Sequence, residues 1–434
     1  MRQTETRWSL SVLFLIGLAA LPPQGAAQEQ KTPPQPLTRS EAWSVFGYDP
    51  TPDFRTYDPQ YRTKINQYKD EMERLRQEMY RQAKAGRKTP CARQIYVEAQ
   101  WLVQYTADFD RIEKRLQALR ALLKQPADPP EAKEQSPVDG SFNACNQAWF
   151  YKVDAACDKL VVMQYLDVRP KHPLRFLDQV NSPDKFRAYM DRLLIADVSK
   201  TGEDTRFELN LGGTDLVRLI LGTLPSGYSF DPRLKSTLID YVDNRWQDPQ
   251  TGFWGCWYKT KNGAIRKAAD MSITFHIVHY REGKVKRWPQ IIQTTLAMKD
   301  LEWPYGWLQE GQMSDHHNYD VVTLFHYGWA AMTPQQKSQA RAEIRKMLDF
   351  CLTRSLRADG SFNLGDEGTI GESFEFPCLF LYEIGFFNKE NRFWTDETFP
   401  QAKGIAKRIA AKIKELQLDD PETQVAQLIV ENAD

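Results

Sequence analysis

The sequence predicts an all-α protein in which a ring of helical hairpins, an α/α toroid, follows a long antiparallel helical hairpin. Glycine-containing turns recur in the later part of the chain. Gly252, Gly306 and Gly360 are spaced 54 residues apart, which is typical of a repeated supersecondary unit. Strongly apolar helix patterns alternate with amphipathic, charged ones between these turns. An apolar helix is buried and an amphipathic helix lies at the surface. The simplest closed arrangement of these helix pairs is therefore a ring with an inner and an outer layer.

The N-terminal residues 1–27 have the pattern of a secretory signal peptide. Two arginines precede an apolar run from Leu10 to Leu21, and small residues follow it in "PQGAAQEQ", as in cleaved leaders. A membrane-spanning helix needs about 20 apolar residues, which is more than this run supplies. We therefore expect an exported protein, periplasmic or extracellular, with no membrane span after cleavage. A proline-rich tether is expected over residues 28–57.

The helical hairpin is predicted over residues 58–126, followed by a linker at 127–138 and the toroid domain at 139–434. Two runs of apolar residues alternate steps of three and four, which is the heptad pattern of packed helices. The breaker "KAGRKTPC" separates the two runs. The first run is Tyr61, Ile65, Tyr68, Met72, Leu75 and Met79, and the second is Leu102, Tyr105, Phe109, Ile112, Leu116, Leu119 and Leu123. We expect this hairpin either to pack against the rest of the chain or to form a contact between copies in a homo-oligomer.

Composition excludes some function classes. Lysine plus arginine equals aspartate plus glutamate at 57 each, so no nucleic-acid partner is indicated. Aromatic residues make up 12% of the chain, which suits stacking on flat ligands as well as a helical core. The six cysteines allow 15 pairings in an exported chain, and their spacing selects none of them. No CxxC pattern occurs, so a zinc–thiolate site is not predicted.

Acidic residues open the predicted inner helices. Asp215 begins "TDLVRLILG", Asp270 begins "DMSITFHIVHY", Asp315 or Asp320 begins "SDHHNYDVVTLFHYGW", and Glu372 begins "ESFEFPCLFLYEIGFF". The first turns of inner helices converge at one mouth of a toroid, and helix N-termini favour anions. These acids are therefore expected either to face one cavity or to act as ordinary helix caps.

Histidines concentrate in the same region. His276, His279, His316, His317 and His326 fall within 51 residues, and the chain has six histidines. A histidine beside a carboxylate can act as a general base or acid near neutral pH. The predicted catalytic residues are His317, Tyr319, Asp270, Asp315 and Glu372. The alternative is that the mid-helix histidines are satisfied core residues.

The same histidines also permit a metal-site hypothesis. His276 and His279, with His316 or His317 and a carboxylate, supply ligand types that zinc accepts. The HxxH spacing is less favourable than the HxxxH spacing of one helical turn. The sequence therefore predicts no metal ion and no cofactor.

Two segments resemble known toroidal proteins. "QDPQTGFWG" resembles the glycine–tryptophan turn of terpenoid cyclases, prenyltransferases, and secreted toroidal polysaccharide lyases and glycosidases. The DxDD segment of the cyclases does not occur. "DHHNYD" resembles the asparagine–asparagine–histidine segment of toroidal alginate lyases, with His317 and Tyr319 at the matching places. Those lyases carry their catalytic tyrosine on the next inner helix, where this chain has Phe374, Glu375 and Phe376.

These observations predict an exported carbohydrate-active enzyme that acts on a polysaccharide or oligosaccharide. The residues expected to bind the substrate are Trp254, Trp257, Tyr305, Trp307, His316, Asp320 and Glu375. As a hydrolase, Glu372 would donate a proton to the leaving oxygen while Asp270 or Asp315 activates water. As a lyase, His317 would take a proton beside a uronate carboxylate, which Arg266 or Lys267 neutralises. The alternative hypothesis is a non-catalytic toroidal scaffold that binds a ligand or a partner.

Overall fold

Helices account for most of the chain in the computed structural model, which describes residues 59–87, 89–126, 135–142, 145–260, 262–364, 369–418 and 420–433. The chain is predominantly helical, as predicted. The predicted signal peptide and tether lie outside the described residues, as does most of the predicted linker. Within the described part, no helix combines the length and apolarity needed to cross a membrane.

The longer helices define the architecture. They are α1 Pro59–Lys84, α2 Pro90–Tyr105, α3 Phe109–Leu123, α4 Trp149–Tyr165, α5 Pro183–Leu194, α6 Thr214–Leu221, α7 Leu234–Asp240, α8 Met271–Tyr280, α9 Trp288–Ala297, α10 Asp315–Gly328, α11 Pro334–Phe350, α12 Ile370–Glu383, α13 Ala402–Leu416 and α14 Pro421–Glu431. Shorter helical segments are Arg175–Gln179, Val198–Thr201, Arg206–Glu208, Leu209–Gly213, Tyr241–Trp246, Trp329–Ala331, Cys351–Ser355 and Lys389–Asn391.

A small sheet is the other regular element of the described part. Its strands are β1 Ile195–Ala196, β2 Trp257–Lys259 and β3 Ile265–Lys267. β1 pairs parallel to β2, with Ile195 opposite Trp257, and β2 pairs antiparallel to β3, with Trp257 opposite Lys267. The sheet therefore fixes the segment that leads into α8.

Six helices contact one another in a closed sequence. α4 contacts α6, α6 contacts α8, α8 contacts α10, α10 contacts α12, α12 contacts α14, and α14 returns to contact α4. Their apolar residues belong to one hydrophobic core that extends from Val153 to Val430. We call this arrangement the helix ring. The sequence identified four of its helices, and α4 and α14 complete it.

The remaining long helices of this region contact the ring helices and one another. α7 contacts α5 and α6, α9 and α11 contact α10, and α13 contacts α14. α11 shows why such a helix lies at the surface. Its buried residues are Ala340, Ile344, Met347 and Leu348, which form a single stripe along one face. Charged residues occupy the other faces of this helix.

The N-terminal region differs from the predicted two-helix hairpin because its second heptad run is divided between α2 and α3. The Asp108 carboxylate caps α3 by accepting a hydrogen bond from the Arg111 amide. The Thr106 hydroxyl donates to the Leu102 carbonyl at the end of α2. Asp and Thr favour such local bonds over a helix interior. The seam of apolar residues therefore continues from α2 to α3, although the helix is interrupted between Tyr105 and Phe109. The heptad pattern does not reveal this interruption.

We call α1, α2 and α3 the arm, and a disulfide and the hydrogen bonds of Glu98 attach it to the segment that leads into α4. Cys91 and Cys145 form a disulfide. The buried Glu98 pairs with Arg115 at 2.6 Å. Glu98 also accepts hydrogen bonds from the amides of Gln147 and Ala148 at the start of α4, where a negative charge is favoured by the helix dipole.

The recurring glycine turns have a common physical basis at several positions. Gly252 and Gly360 adopt left-handed backbone angles, with φ of 72° and 88°. A Cβ at Gly360 would lie 2.4 Å from the Arg408 carbonyl oxygen, and one at Gly252 would lie 2.8 Å from the Ile291 nitrogen. Each turn therefore packs directly against the backbone of a neighbouring helix, and only glycine permits this approach.

Replacing Gly360 by alanine is expected to lower the free energy of unfolding more than replacing Gly222. Both residues are left-handed, but a Cβ at Gly222 meets no atom within 4 Å in the described structure. G222A should cost about 1–2 kcal/mol for the backbone angle alone, and G360A about 1–3 kcal/mol more for the steric overlap. Urea unfolding of the two variants measures the difference. Equal losses would contradict the packing of this turn against α13.

Candidate functional site

The predicted "DHHNYD" segment forms the first turns of α10. Ser314 caps this helix by accepting a hydrogen bond from the His317 amide at 3.2 Å. The imidazole of His317 stacks on Trp303 with ring centroids 3.8 Å apart and an interplanar angle of 6°. The imidazole of His316 stacks on Phe376 at 3.7 Å and 5°. Both histidines are therefore fixed by aromatic contacts.

His317 is held in its neutral form. Its side chain is buried, with 5% of the residue exposed. Burial lowers the pKa of His317 to about 2, with a smaller contribution from His316. A neutral imidazole is free to take a proton in principle, but this ring is covered by Trp303 and hydrogen-bonded to the Trp307 backbone. Tyr319, also predicted to be catalytic, is buried at 6% exposure.

Asp270 belongs to a structural ion pair. It is fully buried, and its carboxylate receives Arg206 Nε at 2.6 Å and Nη2 at 3.2 Å. The carboxylate also caps α8 by accepting a hydrogen bond from the Ile273 amide at 3.0 Å. Such bidentate pairing engages both oxygens. Asp270 therefore has a structural role, because it joins Arg206 to the start of α8.

The other predicted acids occupy different environments. Asp315 interacts by a hydrogen bond with the Cys351 thiol, and Asp320 is buried at 1% exposure. Glu372 is partly exposed in the first turn of α12, which Thr369 caps. Arg93 Nη2 lies 3.5 Å from Glu372 Oε1. Of these three acids, Glu372 has the most open surroundings.

The predicted stacking residues are largely packed into the core. Trp254 is fully buried and donates its indole N–H to the Val242 carbonyl at 2.8 Å. Trp307 is 4% exposed, and its ring meets Phe325 edge-on. Lys267 Nζ lies 4.7 Å from the centroid of the Trp257 ring. Tyr305 is partly buried close to Arg206 and Tyr258. These four side chains stabilise the ring rather than present open faces.

Another set of polar side chains converges inside the helix ring. Each ring helix contributes, and the side chains act on one another electrostatically. The set, which we call the ring-centre cluster, consists of Asp154 and Asp158 of α4, Asp215 and Arg218 of α6, His276, His279 and Tyr280 of α8, His316 and Tyr319 of α10, Glu372 and Glu375 of α12, and Glu422 of α14. Arg93 of α2 joins it from the arm.

The ring-centre cluster is open to solvent at Asp158. This residue is exposed, yet the surrounding protein raises the pKa of its carboxyl group, while Arg218 and Arg93 lower it. Asp154, one turn earlier, is partly exposed and has its pKa raised well above the usual range by burial and then by Asp158 and Asp215.

Several carboxyl groups of the cluster have a raised pKa, foremost Glu375, Glu422 and Asp215. Burial raises the pKa of Glu375 to about 8, assisted by repulsion from Glu422, Asp158 and Glu372. Burial also raises the pKa of Glu422 to about 7, although Arg93 opposes the change. The pKa of Asp215 rises to about 7 by burial, with Arg218 opposing. Glu375 therefore carries a proton at neutral pH.

A second arrangement on α8 joins a histidine, a tyrosine and an arginine. His276 Nδ1 lies 2.8 Å from the Tyr280 hydroxyl oxygen, and the Arg218 guanidinium carbon lies 4.5 Å from the centroid of the Tyr280 ring. Burial, followed by His279 and His316, lowers the pKa of His276 to about 3. A neutral imidazole, a phenol and a cation are thus adjacent within the ring.

Sequence reasoning identified only part of this cluster. Asp154 and Asp158 are separated by one helical turn in "VDAACDKLVV", and Arg218 lies three residues after Asp215. Charged residues at such spacings on apolar helices share one face. This pattern was the signal from which the contribution of α4 and of Arg218 to the cluster could have been predicted. The metal-site hypothesis is not supported, because the described residues include no group of three or more His, Cys, Asp or Glu arranged to hold a metal ion.

Comparisons with protein-family models, curated proteins and solved structures found no match for the chain. The candidate site is therefore assigned from its geometry and chemistry.

Replacing Asp270 by asparagine is expected to destabilise the fold by about 3–5 kcal/mol, because Arg206 would keep a buried charge without its partner. The matched control is D108N, since Asp108 also caps a helix but is exposed and asparagine caps as well as aspartate. Chemical denaturation of both variants measures the loss. A small and equal loss in the two would show that Asp270 acts as a cap alone.

Proposed function

We propose that the helix ring is an α/α toroid and that the chain is an exported glycoside hydrolase whose ring-centre cluster cleaves a neutral glycan. The observation that carries this proposal is a pair of carboxyl groups one helical turn apart in different surroundings: burial raises the pKa of Glu375 to about 8, whereas Glu372 lies 3.5 Å from the Arg93 guanidinium. Glycoside hydrolysis uses one carboxylic acid and one carboxylate. Different surroundings are what separate the two roles.

The proposed roles follow from these surroundings. Glu375 retains its proton at neutral pH and donates it to the glycosidic oxygen as that bond breaks. Glu372, beside the Arg93 guanidinium, acts as the carboxylate that activates water or attacks the sugar carbon. This assignment uses the inner helix predicted from the sequence but gives Glu372 the basic role. His317 has no part in it, because its ring is covered by Trp303.

Charge in the ring supports a neutral substrate. The cluster contains six carboxyl side chains and two guanidinium groups, Arg93 and Arg218. A polyuronate would bring carboxylates into a site where burial already raises the pKa of Glu375 and Glu422, so further negative charge would be costly there. A neutral sugar offers hydroxyl groups that donate to carboxylates and accept from protonated carboxyls. Hydrolysis of a neutral polysaccharide or oligosaccharide is therefore favoured over uronate elimination.

A lyase is the second candidate function, and one observation favours it. His276, Tyr280 and Arg218 place a base, an acid and a cation side by side, which are the groups that proton abstraction beside a uronate carboxylate requires. In this scheme Arg218 would bind the carboxylate and His276 or Tyr280 would take the proton. The carboxyl groups of the ring-centre cluster disfavour this scheme, because they surround the place where the uronate carboxylate would bind.

The proposal of export is supported by the disulfide between Cys91 and Cys145. Disulfides persist in oxidising compartments and are rare in the cytosol. The other cysteines, Cys157, Cys256, Cys351 and Cys378, are buried thiols. Periplasmic or extracellular residence, the signal peptide and oligomer contact through the arm remain predictions.

Replacement of Glu375 by glutamine is expected to reduce hydrolysis by about 10²–10⁴-fold, because glutamine cannot donate the proton. The full chain is incubated with neutral polysaccharides and with polyuronates, and reducing ends and unsaturated-uronate absorbance are both measured. E431Q is the matched control, since Glu431 is exposed at the end of α14.

Three outcomes separate the hypotheses. If the E375Q variant no longer produces reducing ends while the E431Q variant still does, the result supports the hydrolase. Unsaturated products that disappear in the Tyr280→Phe variant would favour the lyase instead. No product from any substrate, with binding intact, would identify a non-catalytic scaffold.

A further inference from the structure

One residue of the ring-centre cluster comes from outside the helix ring. Arg93 lies in the first turn of α2, and its guanidinium reaches the first turns of α12 and α14. Arg93 Nη2 lies 3.0 Å from Glu422 Oε1 and 3.5 Å from Glu372 Oε1. One cation from the arm therefore bridges two acids that belong to neighbouring ring helices.

The position of Arg93 is fixed from both sides along α2. Two residues before it, Cys91 is covalently joined to Cys145. Five residues after it, Glu98 accepts hydrogen bonds from the amides that begin α4. These anchors hold the first turns of α2 against the ring. The guanidinium is consequently delivered to the acids by a rigid element.

Several charged groups face Arg93 from the helices around it. They are Asp154 and Asp158 of α4, Glu372 of α12, and Asp420 and Glu422 at the start of α14, with Glu375 and Arg218 behind them. Acids predominate in this set. Without a cation they would repel one another, and the least costly response would be to take up protons.

We propose that Arg93 is a positioning residue of the site: its guanidinium holds the carboxyl groups of Glu372 and Glu422 side by side, one helical turn from Glu375. The arm therefore contributes a residue to the site, because the Arg93 guanidinium belongs to α2 and not to the helix ring. The proposal rests on the function proposed above for its catalytic consequence, but its electrostatic consequence does not depend on that function.

Loss of the arginine has effects of opposite sign on the two kinds of acid. Arg93 lowers the pKa of Glu422, Asp154 and Asp158, so these groups would hold protons to higher pH without it. Negative charge on Glu422 raises the pKa of Glu375, so neutral neighbours would let Glu375 lose its proton at lower pH. The basic limb of a pH–rate profile that needs a protonated Glu375 would therefore move to lower pH.

The experiment compares R93Q, which removes the charge, with R93K, which retains it, in the full chain. On the proposed substrate class, R93Q is expected to move the basic limb of the kcat/KM profile to lower pH by about one unit, and R93K to leave that limb close to its position in the parent. A loss of activity that is equal at every pH would show a purely structural role and overturn the proposal.

A second readout needs no activity. Urea unfolding is measured for R93Q and the parent at pH 5 and pH 8. The destabilisation by R93Q should be larger at pH 8, where the acids are more fully charged and lack their cation, and smaller at pH 5, where they are protonated. The control R76Q removes an exposed arginine of α1 that pairs with Glu73 at 2.8 Å and should show no such pH dependence.

The stability result separates the two proposals. If the parent protein cleaves no glycan, the proposed function fails, while a pH-dependent loss in R93Q still supports Arg93 as the cation of the cluster. A loss that is equal at pH 5 and pH 8 overturns the role of Arg93, whatever the activity. Folding of R93Q at pH 5 but not at pH 8 supports the proposal, and failure at both overturns it.

Discussion

Closure of the helix ring is the constraint on which the rest of the structure depends. Because α14 returns to α4, polar side chains on six helices lie close enough to act on one another, and most of them are partly or fully buried. Charges in such surroundings interact far more strongly than in bulk solvent, and burial disfavours their ionised forms. The elevated pKa of Glu375 and the depressed pKa of His276 are both consequences of this closure.

The acids of the protein fall into two groups that differ in their partners. Asp270 and Glu98 are buried, and each is paired with an arginine and bonded to the amides that begin a helix. Their charge is fully compensated, and they join α8 and α4 to neighbouring segments. Glu375 and Asp158 line the interior without such enclosure. The catalytic role that we propose belongs to the second group, whose carboxyl groups are less enclosed.

The sequence predicted the class of fold and several local features. The apolar helices, the turns at Gly252 and Gly360, and the cap at Asp270 all correspond to short-range rules that act within a few residues, whereas the cap of α10 is Ser314 and not the predicted acid. The division between α2 and α3 escaped prediction because the heptad seam continues across Asp108. Prediction also missed α4 and α14 as ring helices, although the "DGSF" turn at Gly140 precedes α4, because Asp154 and Asp158 interrupt the apolar pattern of α4.

The site was harder to predict, for a physical reason. A residue at the start of a helix is a cap or a reactive group according to which way it faces, and facing is set by the packing of distant helices. Asp270 faces Arg206, whereas Glu375 faces the ring interior. The density of histidines indicated the right helices, but the paired His316 and His317 are stacked on Phe376 and Trp303.

The most direct test of this account is the titration of the Glu375 carboxyl group itself. Carbon-13 NMR of the chain labelled at glutamate carboxyls, with the signal assigned by its absence in E375Q, follows protonation without any substrate. The account predicts a midpoint for Glu375 near pH 8, well above the ordinary glutamate value of 4.5. A midpoint near 4.5 would contradict it, because the ring interior would then not hold a protonated acid at neutral pH.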